Sequence, residues 1–546
     1  MGKVTGGRLV VKALKQEGIE CIFALSGRDI DPIFQACIDE KVRLIDTRHE
    51  QAAAFMAEGW ARATGKPGVA AVTGGPGVAN AFTSIWNASI SLSPTIVLGG
   101  AVQRAELTLG AFQEMDSTLL VSPITKWRES IRDARRIPEY ISMAFRQALS
   151  GRPGPVYLEL PSDVLLDEVE EAPLPVSYRT TARAQGDPAL VKKAVEMLLN
   201  AKRPIVIAGS GVRWSGAGKE LQEFIEMAKL PLTLTQMGRG VVPEDHPMCF
   251  GPTRVGTKQA DVVLVVGTRL NYALNYGRPA LFGEGGKWIQ VDIEPTDIGR
   301  NRPIDIGIMG DAKAVLGQMI EEARDRCKNR QELPWVEECR AYIRDRQKQL
   351  EVNMNSDSSP VHPARLCKEV RDFLDRDATI VLDGGDITLW GAAVLRSYEV
   401  GHWLDNTPTG CLGSGTAFAM AAKAARPDKQ VFLLNGDGSF GLNAMEFDTM
   451  VRHKLPVVCA IGNDGAWGLI KHGQQAHGAD RVIGTELGFV RYDKMVEALG
   501  GYGEAVETPQ DIRPALERAF ASGLPACINV KCADVFRGLP RRSATK

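Results

Sequence analysis

The sequence predicts an α/β protein built from three doubly wound parallel-sheet domains. Short, continuous runs of apolar and β-branched residues recur from end to end, flanked by Gly or Pro, as in GVAAVTG, RPIVIAGSG and KQVFLLNGDG. Segments with helical spacing separate these runs, a pattern typical of parallel sheets that are covered on both faces. The 546 residues are too many for one hydrophobic core and fit three domains of ordinary size.

Two polar stretches, LLDEVEEAPLPVSYRTTARAQGDP and QLEVNMNSDSSPVHPAR, have the composition of linkers. They divide the chain into roughly equal thirds. We predict a first domain at residues 1–170, a central domain at 187–345 and a third domain at 362–535, followed by a tail at 536–546 that is a candidate lid.

Composition narrows the class of partners. Lys plus Arg number 65 and Asp plus Glu number 66, so the formal net charge is −1. Without an overall positive field, we expect neither a nucleic-acid nor a membrane partner. The N-terminus has no secretory h-region, and no apolar run reaches ~18 residues, so we expect a cytoplasmic protein. The ten cysteines lack C-x-x-C spacing and are expected to be reduced core thiols.

The stretch VFLLNGDGSFGLNAMEF runs from a strand through a Gly-rich turn into a helix. Its G-x-G-x-x-G match is by itself a weak sign of a dinucleotide site. Asp437 lies inside the turn, where backbone amides would otherwise receive a phosphate. Because a carboxylate repels a diphosphate unless a divalent cation lies between them, Asp437 predicts a hard cation such as Mg²⁺.

The next strand, PVVCAIGNDGAWG, ends in Asn463 and Asp464, which supply more oxygen ligands at the neighbouring strand end. Alone, Asp437 would be an ordinary turn or N-cap residue. The two strand ends together favour the metal interpretation.

The G-D-G-S turn, followed about 27 residues after Asp437 by an N-D pair, resembles that of the thiamin diphosphate-dependent enzymes. The resemblance covers the whole chain and implies a pyrimidine-binding, a central and a pyrophosphate-binding domain. It also implies an active site shared between two subunits, hence at least a homodimer, and we expect a homotetramer. It implies that Asp437 and an Asx at 463 or 464 bind Mg²⁺. Ungapped spacing favours Asp464, with the main-chain carbonyl of Ala466 as a further ligand.

In that family a glutamate follows the second strand of the first domain in an R-H-E-x-x-A setting, and TRHEQAA places Glu50 there. The resemblance implies that its carboxyl group hydrogen-bonds the aminopyrimidine ring and promotes removal of the thiazolium C2 proton. In isolation, Glu50 would be an ordinary first-turn residue favoured by the helix dipole.

The resemblance implies further cofactor contacts from the TGGPGVAN, GCLGSGTAF and GDGS motifs. The glycines of TGGPGVAN would let backbone approach a flat ring closely. GCLGSGTAF has Gly415 where the family carries a bulky apolar residue beneath the cofactor, and Leu412 is the candidate replacement. The cofactor-binding candidates are Glu50, Thr73, Pro76, Asn80, Leu412, Gly413, Ser414, Gly436, Gly438 and Ser439.

Motifs expected to lie near the substrate resemble those of more than one class of enzyme. SGRDIDPIF and VSPITKW resemble benzaldehyde lyase, yet Asp29 stands where that enzyme has a loop histidine. GAFQEMD is shared by acetolactate synthases and 2-hydroxyacyl-CoA lyases, and it implies that Phe112 and Gln113 lie near the reacting carbon. The central strings QMGRGVVPEDHP, VVGTRLNYALNYGRP and KWIQVDIEPTDIGRN resemble the 2-hydroxyacyl-CoA lyase and oxalyl-CoA decarboxylase group more than acetolactate synthase.

Charged residues near the C-terminus complete the set of candidates. Glu486 lies in a loop that could fold over C2 as an acid or base, and a solvated role is equally open. Arg537, Arg541 and Arg542 in the tail, with Arg254 in the central domain, are candidate contacts for the phosphates of CoA. The central domain is also a candidate site for ADP or a CoA nucleotide, and the choice between ADP and FAD stays open.

Together these motifs predict a thiamin diphosphate- and Mg²⁺-dependent carbon–carbon lyase that cleaves 2-hydroxyacyl-CoA to formyl-CoA and an aldehyde or ketone. Two alternatives remain: acetolactate synthase-type condensation of 2-oxo acids, and a benzaldehyde lyase-like acyloin enzyme. Phe112, Gln113, Glu486 and Asp29 join Glu50 as candidate catalytic residues. A catalytically inactive binding protein with the same fold is disfavoured by the presence of both Glu50 and Asp437.

Overall fold

The computed structural model describes residues 2–174 and 178–537. Within them, three parallel β-sheets flanked by helices confirm the predicted α/β class. The chain forms two compact units: residues 1–182 with 406–427 and 443–455, and residues 183–405 with 428–442 and 456–546. In the described part of the chain, no helix combines the length and apolarity needed to cross a bilayer.

The first unit contains a six-stranded parallel sheet. The strands of this unit are β1 (Lys3–Thr5), β2 (Cys21–Ala24), β3 (Arg43–Asp46), β4 (Gly68–Val72), β5 (Thr95–Ala101), β6 (Trp127–Ser130), β7 (Val156–Pro161) and β8 (Glu168–Glu170). The sheet has the order β3-β2-β4-β5-β7-β6, while β1 and β8 form a separate antiparallel pair. The helices of this region are α1 (Gly6–Gln16), α2 (Asp31–Glu40), α3 (Glu50–Thr64), α4 (Pro76–Ser91), α5 (Ser117–Leu120), α6 (Ile137–Leu149) and α7 (Ser162–Leu166).

Helix α3 is buried on nearly all sides, because its sequence EQAAAFMAEGWARAT consists mostly of small and apolar residues. Two of its buried charged residues form an ion pair, with Glu58 3.7 Å from Arg62. Asn87 and Ser91 of α4 donate hydrogen bonds to Glu58 over 2.7 and 2.6 Å. These buried hydrogen bonds hold α3 against α4, so the helix that begins with Glu50 is fixed in position.

The central region of the second unit has five parallel strands in the order β10-β9-β11-β12-β13. They are β9 (Pro204–Ala208), β10 (Leu232–Leu234), β11 (Val262–Val266), β12 (Lys287–Asp292) and β13 (Ile306–Met309). The helices are α8 (Pro188–Leu199), α9 (Ser210–Ser215), α10 (Gly218–Ala228), α11 (Ala312–Ala323) and α12 (Pro334–Met354). Two buried apolar clusters contain strand residues of this sheet, as expected for a sheet covered on both faces.

The C-terminal region carries a second six-stranded parallel sheet, in the order β15-β14-β16-β17-β19-β18. Its strands are β14 (Thr379–Asp383), β15 (Trp403–Asp405), β16 (Val431–Gly436), β17 (Val458–Asn463), β18 (Tyr502–Val506) and β19 (Ala526–Lys531). The helices are α13 (Pro363–Phe373), α14 (Asp386–Val394), α15 (Ser414–Ala425), α16 (Asp437–Asn443), α17 (Glu446–Arg452), α18 (Gly468–Gln475), α19 (Tyr492–Ala498) and α20 (Pro509–Ala521). Helices α15 and α17 belong to the first compact unit, although the sheet belongs to the second.

Candidate active site

Two carboxylates follow neighbouring strand ends of the C-terminal sheet. In the parallel register of β16 and β17, Gly436 is the partner of Gly462. Asp437 therefore begins α16 at the same edge of the sheet at which Asp464 follows β17. Asp437 is buried, and the carboxyl of Asp464 lies within hydrogen-bonding reach of it. The structure thus brings together the two side chains predicted as metal ligands.

This carboxylate pair has the properties of a site for a cation. Burial, and then repulsion from Asp464, raises the pKa of Asp437 above its ordinary value. Burial likewise raises the pKa of Asp464. Oδ2 of Asp437 is buried and has no hydrogen-bond partner among the described residues. A divalent cation would neutralise both groups and supply that oxygen with a partner.

Side chains alone would not complete such a site. Among residues 2–174 and 178–537, no group of three or more His, Cys, Asp or Glu side chains is arranged to hold a metal ion. Mg²⁺ usually takes one or two carboxylates and fills its remaining positions with water and substrate phosphates. Two carboxylates in a Gly-rich turn fit that pattern.

The structure also separates the two Asx candidates. The amide nitrogen of Asn463 donates to the carbonyl of Val490 over 3.2 Å and to Oδ1 of Asn529 over 3.0 Å. Its Oδ1 accepts the backbone N–H of Gly465 over 3.1 Å. Since these bonds occupy the amide of Asn463, the geometry favours Asp464 as the side-chain ligand.

The turn after Asp464 is held by the loop that carries Glu486. Ala466 donates its N–H to Oδ1 of Asp464 over 3.2 Å and faces Glu486 across an isolated antiparallel bridge. Glu486 forms an ion pair with Lys471 over 2.9 Å, and its side chain is largely exposed. The main chain of this loop therefore lies next to the predicted metal turn, while the carboxylate extends towards solvent.

One of the two glycines that flank Asp437 is required by close packing. A Cβ on Gly438 would lie 2.6 Å from the ring of Trp467, whereas a Cβ on Gly436 would meet its nearest neighbour, Ile387, at an ordinary 3.5 Å. Close packing therefore requires glycine at 438 and not at 436. Ser439, in the first turn of α16, is buried.

Glu50 is the first residue of α3. His49 precedes it as an extended N-cap residue, with φ −148° and ψ 140°, and accepts the N–H of Gln51 on its imidazole. Glu50 is 8% exposed, and its Oε2 accepts a hydrogen bond from Nδ2 of Asn80 over 2.9 Å. A Cβ on Gly77 would lie 3.5 Å from Oε1 of Glu50 and 2.7 Å from Cγ2 of Thr73. Three predicted residues, Glu50, Thr73 and Asn80, therefore converge around the start of α4, where Pro76 is the first helical residue.

Asp29 is bound to the same Gly-rich turn. It accepts the hydroxyl of Thr73 and, over 2.7 Å, the N–H of Gly74. Gln113 has a left-handed backbone with φ 65°, and a Cβ on Gly75 would lie 2.6 Å from its carbonyl oxygen. Asp29 and Gln113 thus contact the predicted cofactor turn directly.

Phe112 is 77% exposed, which is unusual for a large apolar side chain. The stretch around it is also apolar and exposed, since Leu109 is 75% exposed.

The 412–414 segment precedes α15. Gly413 has φ 87°, a conformation that favours glycine, and its carbonyl accepts the amide of Asn443 over 2.7 Å. Ser414 is fully buried and donates to the carbonyl of Cys411 over 2.9 Å, while Leu412 is half-buried.

The candidate CoA contacts are bound to main-chain carbonyls. Arg537 donates to the carbonyl of Leu389 over 2.5 Å and lies 5.6 Å over the ring of Trp390. Nη1 of Arg254 donates to the carbonyls of Leu234 and Pro252. Burial lowers the pKa of Arg254 to about 10. Arg541 and Arg542 lie outside the described residues.

Two polar groups near these sites were not predicted from the sequence. Glu446, buried in α17, accepts the N–H of Arg48. His472 of α18 is bound on both sides, 3.1 Å from Asp386 and 2.7 Å from Asp534. The spacing of Glu446 with Phe447 and Met450 could have placed it on a buried helix face, but its partners are too distant in sequence to be inferred.

Three α/β regions, a carboxylate pair in a Gly-Asp-Gly turn and a buried glutamate that opens a helix define a cofactor-dependent α/β enzyme. Three segments match thiamine pyrophosphate enzyme families: residues 4–120 the N-terminal TPP binding domain, 191–319 the central domain and 383–530 the C-terminal TPP binding domain. The chain belongs to the thiamine pyrophosphate-dependent enzymes.

Relatives of two kinds match almost the whole chain. An acetolactate synthase large subunit of Mycobacterium tuberculosis is 39% identical, over 98% of this chain and 97% of the relative. A probable acetolactate synthase large subunit of Methanocaldococcus jannaschii is 33% identical, over 98% and 93%. A 2-hydroxyacyl-CoA lyase of Arabidopsis thaliana is 31% identical, over 98% and 96%. These identities establish the family and leave the substrate open.

Proposed function

We propose that the protein is a thiamin diphosphate- and Mg²⁺-dependent carbon–carbon lyase that cleaves 2-hydroxyacyl-CoA thioesters to formyl-CoA and an aldehyde or ketone. The observation that carries the cofactor part is the carboxylate pair of buried Asp437 and half-buried Asp464, with an oxygen on Asp437 that has no partner among the described residues. Within this proposal, Asp437, Asp464 and the carbonyl of Ala466 hold the cation. Bound thiamin diphosphate supplies an acidic C–H whose conjugate base reacts with carbonyl carbon.

Glu50 has the surroundings of a residue that exchanges a proton with a ring nitrogen. Its Oε2 is fixed by Asn80, and its Oε1 lies beside Gly77, which packs closely against Thr73. Burial keeps water from competing for the carboxyl group. Glu50 therefore holds and moves the proton at Oε1.

The thioester part of the proposal is supported by sequence and by charge. RLNYALNYG resembles the corresponding string of 2-hydroxyacyl-CoA lyases, and relatives with that name span the chain. All hydrogen bonds from Arg254 to described residues are donated by Nη1, so Nε and Nη2 remain available to an anion. Burial is the sole cause of its lowered pKa, which means that no carboxylate in the described part of the chain neutralises it. An unneutralised arginine suits a phosphate.

Product analysis tests this proposal. The protein is loaded with thiamin diphosphate and Mg²⁺ and incubated separately with 2-hydroxyacyl-CoAs of several chain lengths and with pyruvate. We expect formyl-CoA and an aldehyde or ketone from the thioesters. Acetolactate from pyruvate, without thioester cleavage, would contradict it.

A substitution sharpens the same test. Arg254→Met should raise KM for the acyl-CoA about tenfold or more while leaving the affinity for thiamin diphosphate unchanged. Arg300→Met, which removes an exposed cation of the same region, is the matched control. Deleting residues 538–546, with Arg541 and Arg542, asks separately whether the tail adds to CoA binding.

Acetolactate synthase activity is the second candidate. It is favoured by the 39% identity to the mycobacterial synthase, which exceeds the 31% identity to the plant lyase. For that function, Arg254→Met should have no effect on pyruvate turnover, because a small 2-oxo acid has no phosphates.

A further inference from the structure

The start of helix α3 lacks a local acceptor that such helices often have. In a capping box, a Glu or Gln at the third helical position accepts the N–H of the N-cap residue. Here the third position is Ala52, which has no acceptor, and the N-cap residue is His49. The imidazole of His49 accepts the N–H of Gln51 but cannot accept its own.

Glu446 supplies an acceptor beside this N-cap residue from a distant part of the chain. Its Oε1 and Oε2 accept the N–H of Arg48 over 3.0 and 3.2 Å. Arg48 is the residue just before the N-cap, so the backbone that leads into Glu50 is bound by a single side chain.

The carboxyl group of Glu446 is itself held in place. It is 1% exposed, and its Oε2 accepts the hydroxyl of Thr449 over 2.6 Å. A neighbouring side chain of the same segment adds a second contact, since Nδ2 of Asn443 donates to Oε1 of Gln51 over 3.3 Å. Glu446 therefore binds the backbone just before α3, and Asn443 binds a side chain in the first turn of α3.

We propose that Glu446 is a positioning residue for Glu50: by binding the amide of Arg48, it sets where α3 begins and so where the Glu50 carboxyl points. The inference rests on the proposed role of Glu50 in proton transfer. A shift of about 1 Å in a proton-transfer group lowers rates strongly. In this proposal Glu446 acts through Glu50.

The charges around Glu446 agree with this role. Burial is the largest effect on this acid and raises the pKa of Glu446 to about 7. The hydroxyl of Thr449 offsets it most, followed by the backbone N–H of Arg48, and the charge of Arg452 on the same helix also favours the ionised form. Arg48 directs its guanidinium to Asp448 instead, over 3.8 Å. The backbone before Glu50 therefore takes part in compensating for the burial of this acid.

The first experiment uses the protein without cofactor. Amide hydrogen–deuterium exchange is followed by mass spectrometry in peptides that cover residues 44–56. In Glu446→Ala, we expect the amide of Arg48 to exchange roughly tenfold faster or more, because its acceptor is gone. Glu446→Gln keeps one acceptor oxygen and should give an intermediate rate.

The second experiment uses the loaded enzyme. Exchange of the C2 proton should slow roughly tenfold in Glu446→Ala, and kcat should fall with KM unchanged. The dissociation constant of thiamin diphosphate, measured by calorimetry, should stay within about twofold of wild type. A role in folding alone would lower the melting temperature and leave C2 exchange at the wild-type rate.

Asp448→Asn is the matched control, because Asp448 lies two residues further along α17 and contacts the side chain of Arg48 but not its amide. Its C2 exchange should equal that of wild type. Normal C2 exchange in folded Glu446→Ala and Glu446→Gln would overturn the positioning role. Normal exchange in Glu50→Gln would instead overturn the proposed function, so the two failures are distinguishable.

Discussion

Glu50 and Asp437 are both buried carboxylates that begin helices, yet their surroundings differ. Glu50 receives a hydrogen bond from Asn80, and the amide of Arg48, two residues before it, is bound by Glu446. Asp437 has an oxygen without a partner among the described residues and lies against a second carboxylate, Asp464. The protein therefore completes the surroundings of Glu50 with its own groups, whereas those of Asp437 need a ligand from outside.

This difference matches the two tasks proposed for these residues. A proton-transfer group works best when its geometry is fixed before the ligand arrives. A metal ligand works best when the cation removes a repulsion that the empty site retains. Substitutions at the two places should consequently affect different steps.

The largest effect is expected at Asp437. Asp437→Ala should abolish tight binding of thiamin diphosphate in the presence of Mg²⁺, because the diphosphate loses its bridging cation. Calorimetric titration measures this directly. Affinity at the wild-type level would show that Asp437 is not needed to hold the cation.

Asp437→Asn tests the difference between the Asp437 and Glu50 sites in the cofactor-free protein. Removing one charge relieves the repulsion with Asp464, so the melting temperature of the cofactor-free protein should rise. Glu50→Gln should bring no such gain, since Glu50 contacts no second carboxylate among the described residues. Equal changes in melting temperature would remove the contrast between the two sites.

The next largest effect is expected at Glu50. Glu50→Gln should slow exchange of the C2 proton by about 10² to 10⁴ while leaving cofactor affinity nearly unchanged, because only the proton acceptor is lost. Nuclear magnetic resonance of acid-quenched samples gives the exchange rate. An unaltered rate would remove Glu50 from the proton transfer.

Much of this contrast could be predicted from the sequence. Strand periodicity and the Gly-rich turns predicted the α/β class, and the spacing of GDGS and ND selected the two carboxylates that the structure brings together. The motif TRHEQAA placed Glu50 after a strand, and it is indeed the first residue of a helix. Each of these features depends on residues that are close in sequence.

What could not be predicted depends on contacts between distant segments. Glu446 and Arg48 are separated by 398 positions, and no local pattern connects them. Spacing alone favoured Asp464 over Asn463, whereas the hydrogen bonds that occupy the amide of Asn463 involve the distant residues Val490 and Asn529. Arg537 was predicted as a CoA contact of the tail, and the hydrogen bond from its guanidinium to the carbonyl of Leu389 could not be inferred.

A smaller effect, on stability, is expected from Glu446. Its pKa is raised from the ordinary 4.5 to about 7 in the folded protein, so the folded state binds more protons than the unfolded state between these values. We compare the unfolding free energies of wild type and Glu446→Gln. The wild-type value minus the variant value should therefore fall by roughly 3 kcal/mol as the pH rises from 4.5 to 7. Chemical denaturation at a series of pH values measures this difference. A difference that does not vary with pH would mean that Glu446 titrates normally.

The smallest effect is expected at Asn80, which tests whether the surroundings of Glu50 really are completed by the protein. Asn80→Ala removes the hydrogen bond to Oε2 and should slow C2 exchange roughly tenfold, since one such bond to a charged group contributes about 1.5 kcal/mol or more. Ser84→Ala is the matched control, because Ser84 lies one turn further along α4 and donates to the carbonyl of Gln51 over 2.8 Å without touching the Glu50 side chain. Cofactor affinity should be the same in both variants. If Asn80→Ala exchanges at the rate of Ser84→Ala, the carboxyl of Glu50 is oriented by the bound cofactor itself. Glu50 and Asp437 would then differ in the charges around them and not in how far the protein orients them before the cofactor binds.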